Sequence, residues 1–391
     1  MERASVVDTL PVYIFDEINR LKYEARVKGR DVIDFGMGNP DIPTPPAVVE
    51  KLRQAVLDPR NHRYSVSRGI PGVRRELAYW YKRKYDVELD PDQEVLLTLG
   101  AKEGFNHLIQ AITAPGEHVM VTSPCYPIHR FAVQLSRAVP VLLPADPESM
   151  LCEAQKALNT INPRPRTLII SYPNNPTTAC VDLDFFSRVV ALARENDLLV
   201  IHDFAYADLV YDNYRAPSIL QVPGAKETAL EFYSLTKGYS MAGWRVGFCS
   251  GHAPVLNKLR RLKSYMDYGM FQPIQIAAAV ALRDCDTEVD RICRTYGERR
   301  DCLIRNFDQA GWSIEPPRGT LFVWAPIPDS VQGRLNSLDF ARFLLAEAEV
   351  AVAPGIGFGE AGEGWVRLAL VENEHRIKQA ARNIRRALSK G

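Results

Sequence analysis

The chain has 391 residues and a mass of 44.0 kDa, which is enough for two domains with a cleft between them. Its 48 Lys and Arg nearly balance 47 Asp and Glu, and the net charge of +1 argues against a nucleic-acid partner. No apolar run approaches the length of a bilayer span, and acidic residues stand near the start, where a signal peptide would be basic and then apolar. We therefore expect a soluble, cytoplasmic protein with no membrane partner.

The predicted elements begin with an amphipathic helix at 13–30 and a Pro- and Gly-rich segment, GMGNPDIPTPP, that suits a crossing between domains. From about residue 93, short β-rich runs alternate with helical stretches. The predicted strands are EVLLTL, HVMVTS, VPVLLP, RTLIISY, LLVIHD, EFYSLT and VGFCSG. This alternation is typical of an α/β fold with one mainly parallel sheet and helices on its faces.

After about residue 275 the pattern changes to longer helices. The helices are DRICRTYGERRDCLIRNFDQAG, SLDFARFLLAEA and EHRIKQAARNIRRALSK, and the strands between them are TLFVWAPI and GWVRLALV. This region reads as a smaller α+β domain. We predict an N-terminal segment at 1–45 that joins the small domain, a large domain at 46–275 and a small domain at 276–391.

Polar residues follow several predicted strands at the carboxyl end, where open parallel sheets bind ligands. They are Lys237 in SLTKGYSMAGWRVG, Asp203 and Tyr206 after LLVIHD, Asn174 and Asn175 after RTLIISY, and Gly100, Ala101 and Lys102 at a helix start. Taken singly, each has an ordinary alternative: an exposed loop lysine, a helix-capping acid, a turn between prolines and a tight turn. His202, next to Asp203, is expected to pack against the sheet.

The combined set matches the needs of one cofactor, pyridoxal 5'-phosphate. A lysine can form a Schiff base with its aldehyde, and an acid can keep its ring nitrogen protonated. A hydroxyl (Ser234), an arginine (Arg245) and a helix N-terminus can bind its phosphate. By contrast, the histidines show no H-x-x-x-H spacing and the seven cysteines no C-x-x-C pair, so we expect no metal site.

Over nearly its whole length the chain resembles the fold-type I pyridoxal-phosphate enzymes, specifically the class I/II aminotransferases. The lysine segment matches Ser-x-[Ser/Thr]-Lys followed by Gly-x-Arg-x-Gly, through Ser234, Thr236, Lys237, Gly243, Arg245 and Gly247. The resemblance makes Lys237 the Schiff-base lysine, 46–275 the cofactor-binding domain, and Asp203 the partner of the ring nitrogen.

The same resemblance assigns the remaining cofactor contacts. Ser234, Arg245 and the helix start at Gly100, Ala101 and Lys102 bind the phosphate. Asn175 and Tyr206 lie near the ring oxygen, whereas Tyr126 and Ala205 flank the two ring faces. Tyr64 reaches a phosphate in the neighbouring subunit, which implies a homodimer with shared active sites.

Arg367 lies inside an otherwise apolar strand, GWVRLAL, where a guanidinium needs either a structural carboxylate or a ligand. In the family an arginine here holds the substrate α-carboxylate, and Gly38 and Asn175 would complete that clamp. Tyr13 could close over the site from the N-terminal segment, or be a core aromatic of an amphipathic stretch.

The resemblance implies ping-pong transamination, in which Lys237 also acts as the general base at the substrate α-carbon. The loop MDYGM offers no second basic residue for a distal carboxylate. The amino-acid sequence of several stretches is most similar to bacterial alanine (glutamate-pyruvate) aminotransferases. We expect alanine and 2-oxoglutarate as substrates. The alternatives are aspartate, aromatic amino acids or LL-diaminopimelate as donor, or a carbon–sulfur lyase that needs no acceptor.

Overall fold

The structure, a computed structural model, describes residues 5–11 and 14–389. Within them the strands are β1 (Ile33–Asp34), β2 (Val95–Thr98), β3 (His118–Ser123), β4 (Val139–Pro144), β5 (Thr167–Ser171), β6 (Leu199–Asp203), β7 (Ala229–Ser234), β8 (Gly247–Gly251), β9 (Phe322–Pro326), β10 (Val350–Ala351), β11 (Ala353–Pro354) and β12 (Trp365–Ala369). The helices are α1 (Ile14–Val27), α2 (Pro46–Val56), α3 (Pro71–Tyr85), α4 (Ala101–Ile112), α5 (Pro127–Leu135), α6 (Pro147–Thr160), α7 (Leu183–Asn196), α8 (Leu235–Gly238), α9 (Ala253–Met266), α10 (Gln272–Asp284), α11 (Asp286–Gln309), α12 (Ser337–Phe343) and α13 (Glu374–Leu388).

A seven-stranded sheet in the order β2-β8-β7-β6-β5-β3-β4 forms the centre of the larger part of the molecule. Only β8 runs antiparallel to its neighbours, so the predicted mainly parallel sheet is confirmed. β5 is buried along its whole length, as expected for a strand that helices cover on both faces. One face packs against apolar residues of α3, α6 and α7, and the other against α4, α5 and α9.

Local capping shows why the predicted helices begin where they do. In α7 the capping residue is Asp182, which stands directly before Leu183. The side chain of Asp182 accepts a hydrogen bond from the backbone N–H of Phe185 at 2.9 Å, which satisfies one of the free N–H groups of the first turn. Phe185, Phe186 and Val189 then face the sheet and are buried.

A second, smaller sheet is built from the C-terminal strands. β12 pairs with β9 and β11 in an antiparallel sheet, and β1 pairs in parallel with β10 in the register Ile33 to Val350. The pairing of β1 with β10 brings residues near the start of the chain to the C-terminal part. The boundaries at 45 and 275 stay a prediction, and α10, which spans the second of them, packs against α2 and α3.

The carboxyl ends of β3, β5, β6 and β7 meet at one edge of the large sheet. β2 reaches the same edge because it runs antiparallel to β8, which itself runs antiparallel to β7. The segments that follow these strands therefore converge, and β12 of the small sheet approaches them from the C-terminal part. None of the described helices is long and apolar enough to cross a membrane.

Candidate active site

A cavity of about 580 Å³ lies at this edge, between the large sheet and the C-terminal part. Most of the predicted site residues line it: Gly38, Ala101, Lys102, Tyr126, Asn175, Asp203, Ala205, Tyr206, Ser234, Lys237, Arg245 and Arg367. Gly100 lies directly beside the lining residue Arg245. Seven separate segments of the chain thus supply one concave site.

Lys237 lies near the middle of this set of residues, on the single helical turn α8. The predicted strand EFYSLT was placed two residues too far along the chain: β7 ends at Ser234, whose hydroxyl accepts from the backbone N–H of Thr236 at 3.2 Å and caps the turn. The Lys237 Nζ donates to the backbone carbonyl of Gly38 at 2.6 Å. Burial, reinforced by the positive charges of Arg367 and Arg245, lowers the pKa of Lys237 from 10.5 to about 7. Near neutral pH this amine can therefore act as nucleophile or base.

One end of the cavity is suited to an anion. Arg245 has a left-handed backbone conformation (φ 57°), and its guanidinium Nη1 donates to the carbonyl of Ala242 at 2.9 Å. Gly100 has a φ of +83°, and a methyl group at this position would overlap the Arg245 guanidinium. The 12-residue helix α4 begins at the next residue, with Ala101 and Lys102 on the cavity wall. The Ser234 hydroxyl lines the same cavity.

Asp203 has a partner that the sequence analysis missed. Its Oδ2 lies 2.8 Å from Nε2 of His129, which is 1% exposed, and its Oδ1 accepts from the backbone N–H of Ala205 at 3.1 Å. His129 lies in α5, one helical turn after Tyr126. Nothing in the local sequence marked it, because the contact joins residues that are 74 positions apart.

Tyr206 and Tyr126 place two phenols at the cavity. Burial raises the pKa of Tyr206 above its ordinary value, although the charge of Arg367 opposes this rise, so the hydroxyl stays protonated and can donate a hydrogen bond. The Lys237 Nζ lies 5.9 Å from the centre of the Tyr206 ring. Ala205 leaves room on the wall because its side chain is a single methyl group.

Arg367 occupies the other end of the cavity and is 7% exposed. Its Nη1 donates to Oδ1 of Asn175 at 2.7 Å, and its guanidinium carbon lies 3.9 Å from the centre of the Phe322 ring and 4.5 Å from that of Phe358. Two phenyl rings and an amide thus fix the plane of this cation. A planar, oriented guanidinium suits a carboxylate.

Further wall residues were not predicted: Phe15, Asn19, Met37, Asn39, Ile128, Phe322 and Phe358. Phe15 packs edge-on against Phe358 with ring centres 5.2 Å apart, so α1 covers the Arg367 end of the cavity. Asn19 follows Phe15 by four positions in α1 and lines the cavity as well. The amphipathic pattern of α1 did not distinguish these residues from ordinary core positions.

One predicted residue that the structure describes, Tyr64, does not line the cavity. Tyr64 is 85% exposed and packs against Tyr268 with ring centres 4.7 Å apart, and its assignment to a neighbouring subunit stays a prediction. Tyr13 lies outside the described residues. Among the side chains that are described, no group of three or more His, Cys, Asp or Glu could hold a metal ion.

The donor set fits pyridoxal 5'-phosphate. Gly100 leaves space for Arg245 beside the start of α4, which gives an anion cradle that any larger side chain at this position would fill. Lys237 supplies a readily deprotonated amine, and Asp203, held by His129, supplies a carboxylate. Arg367 adds a second guanidinium on the cavity wall. Few ligands other than this cofactor with a bound amino acid need these four features together.

Comparison with known proteins identifies the class. Residues 30–384 match the family described as aminotransferase class I and II. The chain belongs to this family, the pyridoxal-phosphate-dependent aminotransferases of fold type I, which confirms the predicted fold, enzyme class and cofactor.

Two relatives and one solved structure are similar to the chain over almost its whole length. The chain is 47% identical over 387 residues to "Glutamate-pyruvate aminotransferase AlaC" of Escherichia coli, covering 98% of this chain and 93% of that protein. It is 40% identical over 391 residues to "LL-diaminopimelate aminotransferase" of Moorella thermoacetica, covering 100% and 99%. Among solved structures, substrate-bound BacF from Bacillus subtilis superimposes with a TM-score of 0.90 at 33% identity, covering 98% of each chain.

Proposed function

We propose that this aminotransferase moves an amino group between L-alanine and 2-oxoglutarate. The observation that carries the proposal is the aromatic crowding at Arg367, where Phe322 and Phe358 lie against the guanidinium and Phe15 packs on Phe358. A substrate bound by Arg367 would therefore have apolar rings around it. Such surroundings favour a substrate with a small side chain. Likeness to a glutamate-pyruvate aminotransferase at 47% identity supports the same substrate pair.

The residues that would hold pyridoxal phosphate divide by chemistry. Arg245, Ser234 and the first N–H groups of α4 would bind the phosphate, and Asp203 would pair with the ring nitrogen. Asn175 and Tyr206 would bind the ring oxygen, and Tyr126 and Ala205 would flank the ring. When bound, the cofactor supplies an aldehyde that condenses with amines and a ring that accepts the electron pair left at the substrate α-carbon.

The side chains of the protein would then bind the substrate and transfer its protons. Arg367 binds the α-carboxylate, and Asn175, bonded to its Nη1, keeps the guanidinium in place. Because its pKa is about 7, the neutral Lys237 amine can remove the proton from the α-carbon and return it elsewhere. The carbonyl of Gly38 accepts a hydrogen bond from Nζ and so restricts where that proton can be delivered. The contact with His129 holds the carboxyl group of Asp203 in its orientation.

The test is a half-reaction. Cofactor-loaded protein is mixed with L-alanine in the absence of any oxoacid, and the pyruvate released is measured. We expect one pyruvate per active site and then no further product, since the amino group stays on the enzyme until an acceptor arrives. A parallel reaction uses a cysteine conjugate as substrate, again without an acceptor. Continued release of pyruvate in that reaction would instead identify a carbon–sulfur lyase or another eliminating enzyme.

One alternative substrate has specific support. Relatives that are 40% identical over nearly the whole chain are LL-diaminopimelate aminotransferases. The same half-reaction with LL-diaminopimelate, aspartate and an aromatic amino acid distinguishes these donors. Rapid conversion of any of them, with none of alanine, would overturn the alanine assignment and leave the aminotransferase chemistry unchanged.

We also propose that the enzyme works as a cytoplasmic homodimer with shared active sites. Tyr64 and Tyr268 support this, because they form an exposed aromatic pair, 85% and 67% exposed, away from the cavity of their own chain. Mixing inactive Lys237→Ala protein with a Tyr64→Ala variant tests it. Mixed dimers would regain one intact site, whereas a monomeric enzyme would regain none.

A further inference from the structure

A buried pair of hydrogen-bonded side chains lies on the back of the large sheet, behind Asp203. His202 and Glu231 occupy directly paired positions on β6 and β7, and both are 0% exposed. Successive residues of a strand point to opposite faces. His202 therefore lies on the face opposite to Asp203, among residues of α3 and α7 rather than in the cavity, and its ring packs on Phe186 at 4.9 Å.

Glu231 is fully satisfied by four donors. Its carboxylate accepts from the Tyr81 hydroxyl (2.8 Å), the Ser218 hydroxyl (2.7 Å) and the backbone N–H of Ile219 (3.0 Å), and it lies 2.9 Å from Nδ1 of His202. A buried carboxylate is costly unless it is paired in this way. This network fixes the position of the His202 ring from one side.

The second ring nitrogen of His202 reaches the neighbouring strand. Nε2 lies 3.0 Å from the backbone carbonyl oxygen of Tyr172 and 3.3 Å from its backbone nitrogen. Tyr172 follows β5 directly and begins the turn that carries Asn175. One imidazole thus ties β7, through Glu231, to the end of β5, and it stands next to Asp203 in the chain.

We propose that His202 is a positioning residue for the reaction. It touches no residue of the cavity by its side chain, and acts through the backbone by setting the distance between the strand end that carries Asp203 and the turn that carries Asn175. On the front face Asp203 is held by His129 and the N–H of Ala205. Small displacements of such groups reduce rates strongly. This inference rests on the proposed roles of Asp203 and Asn175.

The test compares His202→Asn with Tyr81→Phe. Asparagine retains a donor near Nδ1, toward Glu231, and loses the contact with Tyr172. Tyr81→Phe removes one hydrogen bond from the same carboxylate and leaves the strand ends tied together, so it is a matched control for lost stability. For each variant we would measure the melting temperature of the cofactor-free protein, the dissociation constant of pyridoxal phosphate and the rate of the half-reaction with L-glutamate.

We expect both variants to melt at lower temperature. His202→Asn should also weaken cofactor binding about tenfold and slow the half-reaction about tenfold, whereas Tyr81→Phe should leave both near the parent values. His202→Gln, whose amide can reach Tyr172, should recover most of the rate. If His202→Asn does not fold, His202→Gln is compared with His202→Ala. We then expect His202→Ala to show the weaker cofactor binding and the slower half-reaction.

Two results would overturn the inference. In the first, His202→Asn and Tyr81→Phe lose stability alike and neither changes cofactor binding or the half-reaction. In the second, His202→Gln is as slow as the Asn or Ala variant although it is as stable as Tyr81→Phe. Failure of the proposed function is distinguishable, because the parent protein would then bind pyridoxal phosphate and yet release no pyruvate from L-alanine.

Discussion

The two arginines at the ends of the cavity are held in different ways. Arg245 belongs to the segment between α8 and β8, has a left-handed backbone and donates to the nearby carbonyl of Ala242. Arg367 stands in β12 of the small sheet, is stacked between two phenyl rings, and bonds to Asn175 at the edge of the large sheet. The first is fixed within one part of the molecule, and the second bridges both parts.

This difference suits two kinds of anion. A cofactor phosphate stays bound through many turnovers, so an anchor set by local backbone geometry is appropriate. A substrate carboxylate arrives and leaves in every half-reaction, and the arginine proposed to bind it lies on a different sheet from the proposed phosphate anchor. Lys237 lies between the arginines, and both lower its pKa.

Loss of Lys237 should have the largest effect, because this one amine is proposed both to react with the cofactor and to move the substrate proton. Lys237→Ala should slow the half-reaction with L-glutamate by about 10⁴-fold or more. Rapid mixing with measurement of the oxoacid released checks this. Lys258→Ala, an exposed lysine of α9, is the control. A Lys237→Ala protein that retains a tenth of the parent rate would contradict the assignment.

The pKa of Lys237 makes a second prediction. Only the neutral amine can attack the cofactor aldehyde, and a pKa lowered to about 7 means that Nζ is neutral above pH 7 and charged below it. Capture of pyridoxal phosphate by the cofactor-free protein should therefore speed up about 100-fold between about pH 5 and about pH 8 and then level off. Stopped-flow absorbance measures this rate.

The Arg367→Gln variant is the control for that profile. Removing one neighbouring positive charge should move the midpoint to higher pH, since the protonated amine is then repelled less. A rate that still climbs steeply above about pH 9, as an ordinary lysine would give, contradicts the lowered pKa.

Arg245→Gln should act on the cofactor. A lost charge-assisted contact to a phosphate is expected to raise the dissociation constant of pyridoxal phosphate about 50-fold. Equilibrium dialysis gives that constant. With the cofactor at saturating concentration, the KM for the amino acid should stay close to that of the parent, and an equal rise in both constants would argue against two separate anion sites.

Arg367→Gln should give the opposite pattern. The KM for both amino acid and oxoacid should rise about 20-fold, while the dissociation constant of pyridoxal phosphate changes little. Steady-state kinetics with each substrate varied in turn measures these values. Arg367→Lys, which keeps the charge without the planar fork, should recover only part of the loss.

Phe358→Leu should have the smallest effect. Leucine keeps an apolar contact with Phe15 and loses the ring face against the Arg367 guanidinium, which stabilises it by about 1 kcal/mol. We expect the KM for L-alanine to rise about threefold with kcat nearly unchanged. A large fall in kcat would show that Phe358 does more than orient the arginine.

Much of the fold could be predicted because its signals are local. All seven strands of the large sheet were identified from short β-rich runs, and the burial of both faces explains the apolar run of β5, whereas the edge strand β4 is largely exposed. The end of β7 was placed wrongly, since the apolar run continues through Leu235 while the Ser234 hydroxyl caps a helical turn. A serine in a strand pattern does not show in advance which N–H it will accept from.

The candidate site was predictable where motif residues stand at strand ends, as with Lys237, Asp203 and Asn175. Long-range contacts were not. His129 pairs with Asp203 across 74 positions, and Phe15 meets Phe358 only because β1 joins β10. A histidine inside a helix and an aromatic on an amphipathic face carry no local mark of such partners. The amide of Asn19 at the cavity was missed for the same reason.

The position of Arg367 also has a consequence for how the protein matures. During synthesis every strand of the large sheet, with Lys237 and Arg245, leaves the ribosome before β12 is made. The residues proposed to bind the cofactor phosphate are therefore synthesised before the arginine proposed to hold the amino acid by its carboxylate. Arg367 is also one of the two positive charges that lower the pKa of Lys237, so the lysine of the growing chain lacks part of that effect until β12 has been made.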